Sequence, residues 1–124
     1  MMAANSILVL GGTGLLGQPT TAQLVDDGFK VRLLARNPES ARELVPATVE
    51  TIPGDVADPS VVVEAMTGCD SVHISVGGQV DRLSAEHVAA AASAAGVTRI
   101  TYLSGATVAP ENGWFPMVEQ KLAA

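Results

Sequence analysis

Ser6-Ile7-Leu8-Val9-Leu10-Gly11-Gly12-Thr13-Gly14-Leu15-Leu16-Gly17 reads as a strand, a glycine-rich turn and the start of a helix. Residues 7–10 are apolar without interruption, the pattern of a strand covered on both faces. Glycines at 12, 14 and 17 then fall in the G-x-G-x-x-G arrangement. Gly12 permits a tight turn, Gly14 lets a pyrophosphate approach the backbone without meeting a Cβ, and Gly17 lets the helix lie close to the strand. The free N–H groups of Gly11, Gly12, Thr13, Gly14, Leu15, Leu16 and Gly17 then face phosphate oxygens, with the positive end of the helix dipole behind them. No lysine follows the glycines, so the turn is not a P-loop. Glycines also turn loops that bind nothing; here the flanking strand and helix supply the setting the motif requires.

The same alternation continues outward. From Leu15 the apolar residues keep helical spacing through Leu16, Ala22, Leu24 and Val25, and Asp26-Asp27-Gly28 stops the helix. Pro19 is tolerated if it falls near the first turn, where intrahelical partners are scarce. Residues 31–35, 49–52, 71–76 and 99–103 carry further strand signatures, punctuated by Asn37-Pro38, Pro53-Gly54 and Gly77-Gly78. Helices are expected at about 40–44, after an Asp58 cap with Pro59 in the first turn, over 80–95 with Gly96 closing it, and over 115–124. Spacings too long for hairpins imply parallel strands with right-handed crossovers. The expected architecture is α/β: an open, doubly wound parallel sheet of about five strands with helices on both faces, a Rossmann arrangement in one domain spanning 1–124.

Composition narrows the function classes. At 124 residues, 48% hydrophobic and 16% charged, the chain is suited to a folded core. No apolar run approaches the roughly 20 residues that span a bilayer, and the first ten residues lack a basic start and a small-residue cleavage site. The formal net charge of -6 opposes nucleic-acid binding, which rests on many Lys and Arg contacts. The single Cys69 allows neither an internal disulfide nor a cysteine zinc site, which suits a reducing cytoplasm. No metal site is expected.

Arg36 carries the choice of cofactor. It follows the second strand, about 20 residues beyond the glycine turn, where an NAD site presents Asp or Glu to the ribose 2′-hydroxyl. A guanidinium there pairs with a 2′-phosphate and stacks on adenine, which favours NADP (NADPH) over NAD. Thr13 adds a hydroxyl donor to the same phosphate. The competing reading of Arg36 is an ordinary solvated arginine. Asp55 and Val56 follow the third strand, where an adenine amine would lie; Gly54-Asp55 is also a turn pair in its own right. Val76 and Gly77 end the fourth strand at the carboxyl edge, beside a cofactor ribose or in a plain exit loop.

Residues 7–17, 31–38, Gly54-Asp55 and Ile100-Thr101-Tyr102-Leu103-Ser104 together resemble the atypical short-chain dehydrogenase/reductases, closest to the NmrA-like NAD(P)-binding group. The resemblance implies the same assignment: pyrophosphate on the glycine turn, 2′-phosphate on Arg36, adenine at Asp55. Catalytic members of that superfamily carry a Ser after the fifth strand and a Tyr four residues before a Lys that lowers the phenol's pKa. The Lys position falls on Lys121, the Tyr position on Met117, and the Ser position near Gly105, beside Ser104. Neither Met nor Gly transfers a proton, and Tyr102 lies within a strand. Ser104 and Lys121 remain the catalytic candidates, with Lys121 either contacting the nicotinamide ribose or solvated. Family members continue past this helix into a small substrate region, so the chain is expected to lack it. The fifth strand would then leave an apolar edge. A longer protein or a second chain, as in a homodimer, would cover it.

Two functions follow: an NADPH-dependent oxidoreductase of a small carbonyl or quinone-like substrate, or a non-catalytic NADP(H) sensor that binds a protein partner. His73 reads as a core histidine, His87 has no partner at metal spacing, and Trp114 with Phe115 reads as helix-start packing, the competing reading being the lining of a nicotinamide pocket.

Overall fold

A computed structural model of the protein describes residues 5–105 and 108–124. Met1 to Ala4, part of the stretch read above for a leader, and Ala106 with Thr107 lie outside the described residues. Five parallel strands, β1 (Ser6–Leu10), β2 (Lys30–Ala35), β3 (Glu50–Pro53), β4 (Ser71–Ile74) and β5 (Arg99–Tyr102), form one sheet in the order β3-β2-β1-β4-β5. Helices α1 (Gly17–Asp26), α2 (Pro38–Leu44), α3 (Pro59–Met66), α4 (Val80–Ala95) and α5 (Pro116–Ala123) alternate with them, and a 3-10 turn at Pro110–Asn112 precedes α5. This is the Rossmann strand order, with its topological switch between β1 and β4.

β1 is central and its alternation builds two cores. Leu8 and Leu10 join Leu34, Val72 and Ile74 under Val62, Ala65 and Met66 of α3 and Val88 and Ala92 of α4. Ile7 and Val9 point the other way with Val31 and Leu33, against Leu24 and Val25 of α1. Each such side chain contributes roughly 1.5–3 kcal/mol when fully buried, so the strand has no polar face to offer water. In register beside Val9 and Ile7, however, stand His73, Thr101, Ser71 and Arg99. The α1 side of the β4–β5 half is therefore polar.

Two helix starts follow sequence chemistry directly. Asn37 Oδ1 accepts from the Ser40 amide at 3.2 Å and Asp58 Oδ1 from the Ser60 amide at 3.0 Å, each with proline in the first turn. The Ser60 hydroxyl and amide hold the Asp58 carboxyl below its ordinary range.

Several expectations need correction. The first helix starts at Gly17, so Leu15 and Leu16 do not begin its inner face; they stand 91% and 57% exposed on the turn. Helix α2 starts at Pro38 rather than near residue 40, because Asn37 caps it. Strand β4 ends at Ile74 rather than Val76; the Ser75 amide still donates to the Leu10 carbonyl oxygen at 2.9 Å, and its own carbonyl lies against Gly11. Trp114 and Phe115 do not bury: their rings meet each other at 5.9 Å, and Trp114 is 81% exposed.

Candidate cofactor site

Every strand ends at the same carboxyl edge, and the exits of β1 to β4 enclose a groove of about 360 Å³. Gly11 and Thr13 come from the β1 exit, Arg36 from β2, Asp55 and Val56 from β3, and Val76 from beyond β4; Val80 of α4 closes the side. Residues spread over nearly 70 positions of sequence thus meet because four parallel strands end together.

The glycine turn is built by close approach. Gly11 has φ +81°, and a Cβ there would lie 2.5 Å from the Ser75 carbonyl oxygen, so this glycine makes the tight turn that the spacing assigned to Gly12. Gly12 is buried instead against Leu33 and Thr21. A Cβ on Gly17 would lie 1.9 Å from the Gly11 carbonyl oxygen, so only glycine lets α1 sit this close to the turn. Gly14 meets nothing nearer than that same oxygen at 3.5 Å, leaving its outer side open to an approaching group. The amides of Thr13, Leu15 and Leu16 find no backbone acceptor among the described residues. Open N–H groups beside a ten-residue helix start, over a glycine without a Cβ, suit a diphosphate.

Arg36 is exposed on the groove wall and forms no ion pair among the described residues, where the ion pairs are Arg32–Glu50, Arg82–Glu86 and Lys121–Asp81. Asp55 Oδ1 accepts from the Ala57 amide at 2.9 Å, which shapes the β3 exit and leaves Oδ2 without a hydrogen bond among the described residues. Below it, His87 Nδ1 donates to the Val56 carbonyl oxygen at 2.9 Å, tying α4 to the same exit. Gly77 is exposed just outside the groove lining, and Leu15, Leu16 and Gly17 frame the turn without lining it.

The two catalytic candidates separate. Ser104 is exposed beyond β5. Lys121 is no solvated helix residue: its side chain is 11% exposed, and Nζ donates to Asp81 Oδ2 at 2.7 Å and to the Leu103 carbonyl oxygen at 2.9 Å. The Tyr102 hydroxyl donates to Asp81 Oδ1, and its ring faces the Lys121 ammonium at 4.8 Å. Burial first, then the hydrogen bond to Asp81 and its charge, push the Tyr102 phenol well above its ordinary pKa. Such a phenol keeps its proton. Asp81 was not singled out in the sequence, because an acid in the first turn of a helix is indistinguishable there from one that merely suits the dipole, and His87 was given no role because its partner, the Val56 carbonyl, lies 31 residues away.

The family model for NAD(P)H-binding proteins matches residues 11–124. The chain belongs to this NAD(P)H-binding family. Its relatives mark the NmrA-like, atypical short-chain dehydrogenase/reductase type, and a nicotinamide dinucleotide is its cofactor class. The chain is 40% identical over 99 residues to a (4-alkanoyl-5-oxo-2,5-dihydrofuran-3-yl)methyl phosphate reductase of Streptomyces griseus, covering 79% of this chain and 34% of that protein. It is 33% identical over 109 residues to an NAD(P)H azoreductase of Xenophilus azovorans, covering 86% of this chain and 37% of the other. Among solved structures, a Rossmann-fold NAD(P)-binding family protein from Shigella flexneri superposes with TM-score 0.70 at 30% identity, over 79% of this chain and 50% of its own. The chain spans about a third of the length of these two curated relatives. Among the described residues no helix is long and apolar enough to cross a membrane, and no cluster of His, Cys, Asp and Glu is placed to hold a metal ion.

Proposed function

We propose that the chain binds NADP(H) as the cofactor unit of a reductase acting on a small carbonyl or quinone-like substrate. The pyrophosphate rests on the open amides of Thr13, Leu15 and Leu16 over Gly14, whose own amide donates to the Gly11 carbonyl oxygen at 3.2 Å, the 2′-phosphate on Arg36 and Thr13, the adenine against Asp55 and Val56, and the ribose beyond it near Val76 and Gly77. The observation that carries this reading is Arg36, a cation on the groove wall with no ion pair among the described residues, where a carboxylate would serve NAD. Hydride chemistry belongs to the nicotinamide; the residues here supply grip and orientation.

Charge-assisted hydrogen bonds contribute about 1.5–3 kcal/mol each, so wild type should bind NADP+ at least about tenfold more tightly than NAD+. Arg36→Asp should invert that order in a calorimetric titration of both nucleotides. Unchanged NADP+ affinity in the variant would remove Arg36 from the account.

A second reading is favoured by one observation: Met117 stands where a proton-donating tyrosine would, and Lys121 and Tyr102 are both committed to Asp81. On that reading the chain senses the NADP(H) pool and passes the state to a protein partner. NADPH consumption over a panel of quinones and aldehydes separates the two, since a sensor binds tightly and consumes none. We also propose that the β5 edge is covered in solution by a second copy, and that the protein works in the cytoplasm.

A further inference from the structure

We infer that Asp81 is a positioning residue for the nicotinamide half of the cofactor, acting through a buried staple with Lys121 and Tyr102 that fixes the spacing between the β4 and β5 exits. The inference rests on the reading above only for which end of the groove takes the adenosine half.

Three elements contribute one residue each to the staple. Asp81 sits in the first turn of α4, directly after Val80, which walls the groove, and its side chain is 1% exposed. Tyr102 is the last residue of β5, and Lys121 comes from the second turn of α5. Lys121 Nζ bridges the two exits in a single step: Asp81 Oδ2 at 2.7 Å on the β4 side, the Leu103 carbonyl oxygen at 2.9 Å on the β5 side. Each oxygen of the Asp81 carboxylate has a partner, Tyr102 on Oδ1 and Lys121 on Oδ2, and the ammonium lies 3.5 Å from the Tyr102 hydroxyl as well.

Stability alone does not account for such a cluster. A buried ion pair is often no better than apolar residues of the same volume, whereas its directional bonds specify one geometry. The geometry specified here is functional ground. The groove already described is bounded by Val76 and Val80, and its other walls come from the β1, β2 and β3 exits. The strand order β3-β2-β1-β4-β5 leaves only the carboxyl ends of β4 and β5 for the second half of an extended dinucleotide laid across the switch point. The staple holds those two ends.

The test compares a whole dinucleotide with its adenosine half. Wild type, Asp81→Asn and Tyr102→Phe are titrated calorimetrically with NADPH and 2′,5′-ADP, and with NADH and ADP. Loss of one buried charged hydrogen-bonding partner should weaken the dinucleotide about tenfold while the half-ligand changes less than about twofold. Tyr102→Phe, which leaves the ion pair in place, should show a smaller loss of the same kind, and it decides the matter if Asp81→Asn does not fold. Equal losses for dinucleotide and half-ligand, or a lowered melting temperature with dinucleotide affinity unchanged, overturn the inference. Wild type preferring NADH and ADP over the phosphorylated pair would sink the NADP reading alone, since the comparison of NADH with ADP still tests the staple.

Discussion

At the scale of single residues, chemistry and conformation divide differently from what spacing suggests. The motif drew attention to Gly12, yet the left-handed turn falls on Gly11, because the backbone must pass under the carbonyl of Ser75, just past the end of β4 and about sixty residues away. Sequence order holds no trace of such a neighbour. Arg36 and Asp55 were legible because they follow strands whose ends are marked by punctuation. Asp81 was not, since its partners arrive from β5 and α5. His73 gives a prediction at this scale. Its Nδ1 lies 2.7 Å from Thr101 Oγ1, and burial holds its pKa below the ordinary 6.5. The unfolded chain therefore binds the proton more readily than the folded one, so His73 contributes full stability above about pH 6.5 and loses it as pH falls toward the lower folded value. The melting temperature should drop as pH falls below about 6.5, ahead of carboxylate titration, and His73→Asn should flatten that drop. An identical slope in the variant would show that another group is responsible.

At the scale of elements, existence and type were readable while ends were not. The apolar run at 7–10, the capped helix after Asp58 and the alanine-rich helix closed by Gly96 came through because each signal is local. The first helix was read too early, since Leu15 and Leu16 fit helical spacing but are held on an open turn. β5 is the element with an unmet need. It pairs with β4 on one side, among the described residues no strand lies beside its other edge, and Ile100 is 44% exposed. An edge of this kind templates pairing with another chain. Sedimentation velocity across the micromolar range should show association that grows with concentration and is abolished by Ile100→Lys. A wild-type protein that stays monomeric throughout would contradict the second-copy proposal.

For the whole molecule, sequence reasoning reached the architecture because the central strand, buried on both faces, leaves a continuous apolar run, and because glycine and proline mark each crossover. The carboxyl edge then collects every strand exit, which is why a motif, an arginine and an aspartate far apart in the chain face one groove. The polar α1 side of β4 and β5 was not foreseen; a second groove of about 340 Å³ lies there, lined in part by Ile7, Leu24, His73 and Thr101. These two grooves set up the most direct test of where the dinucleotide goes. Backbone amide resonances are followed by NMR as NADPH is added. The account predicts the largest shifts at Thr13 to Gly17, Arg36, Val56 and Val76 to Gly77, with Ser71, His73 and Thr101 nearly still. Shifts centred on the second groove, or none at saturating NADPH, would contradict it.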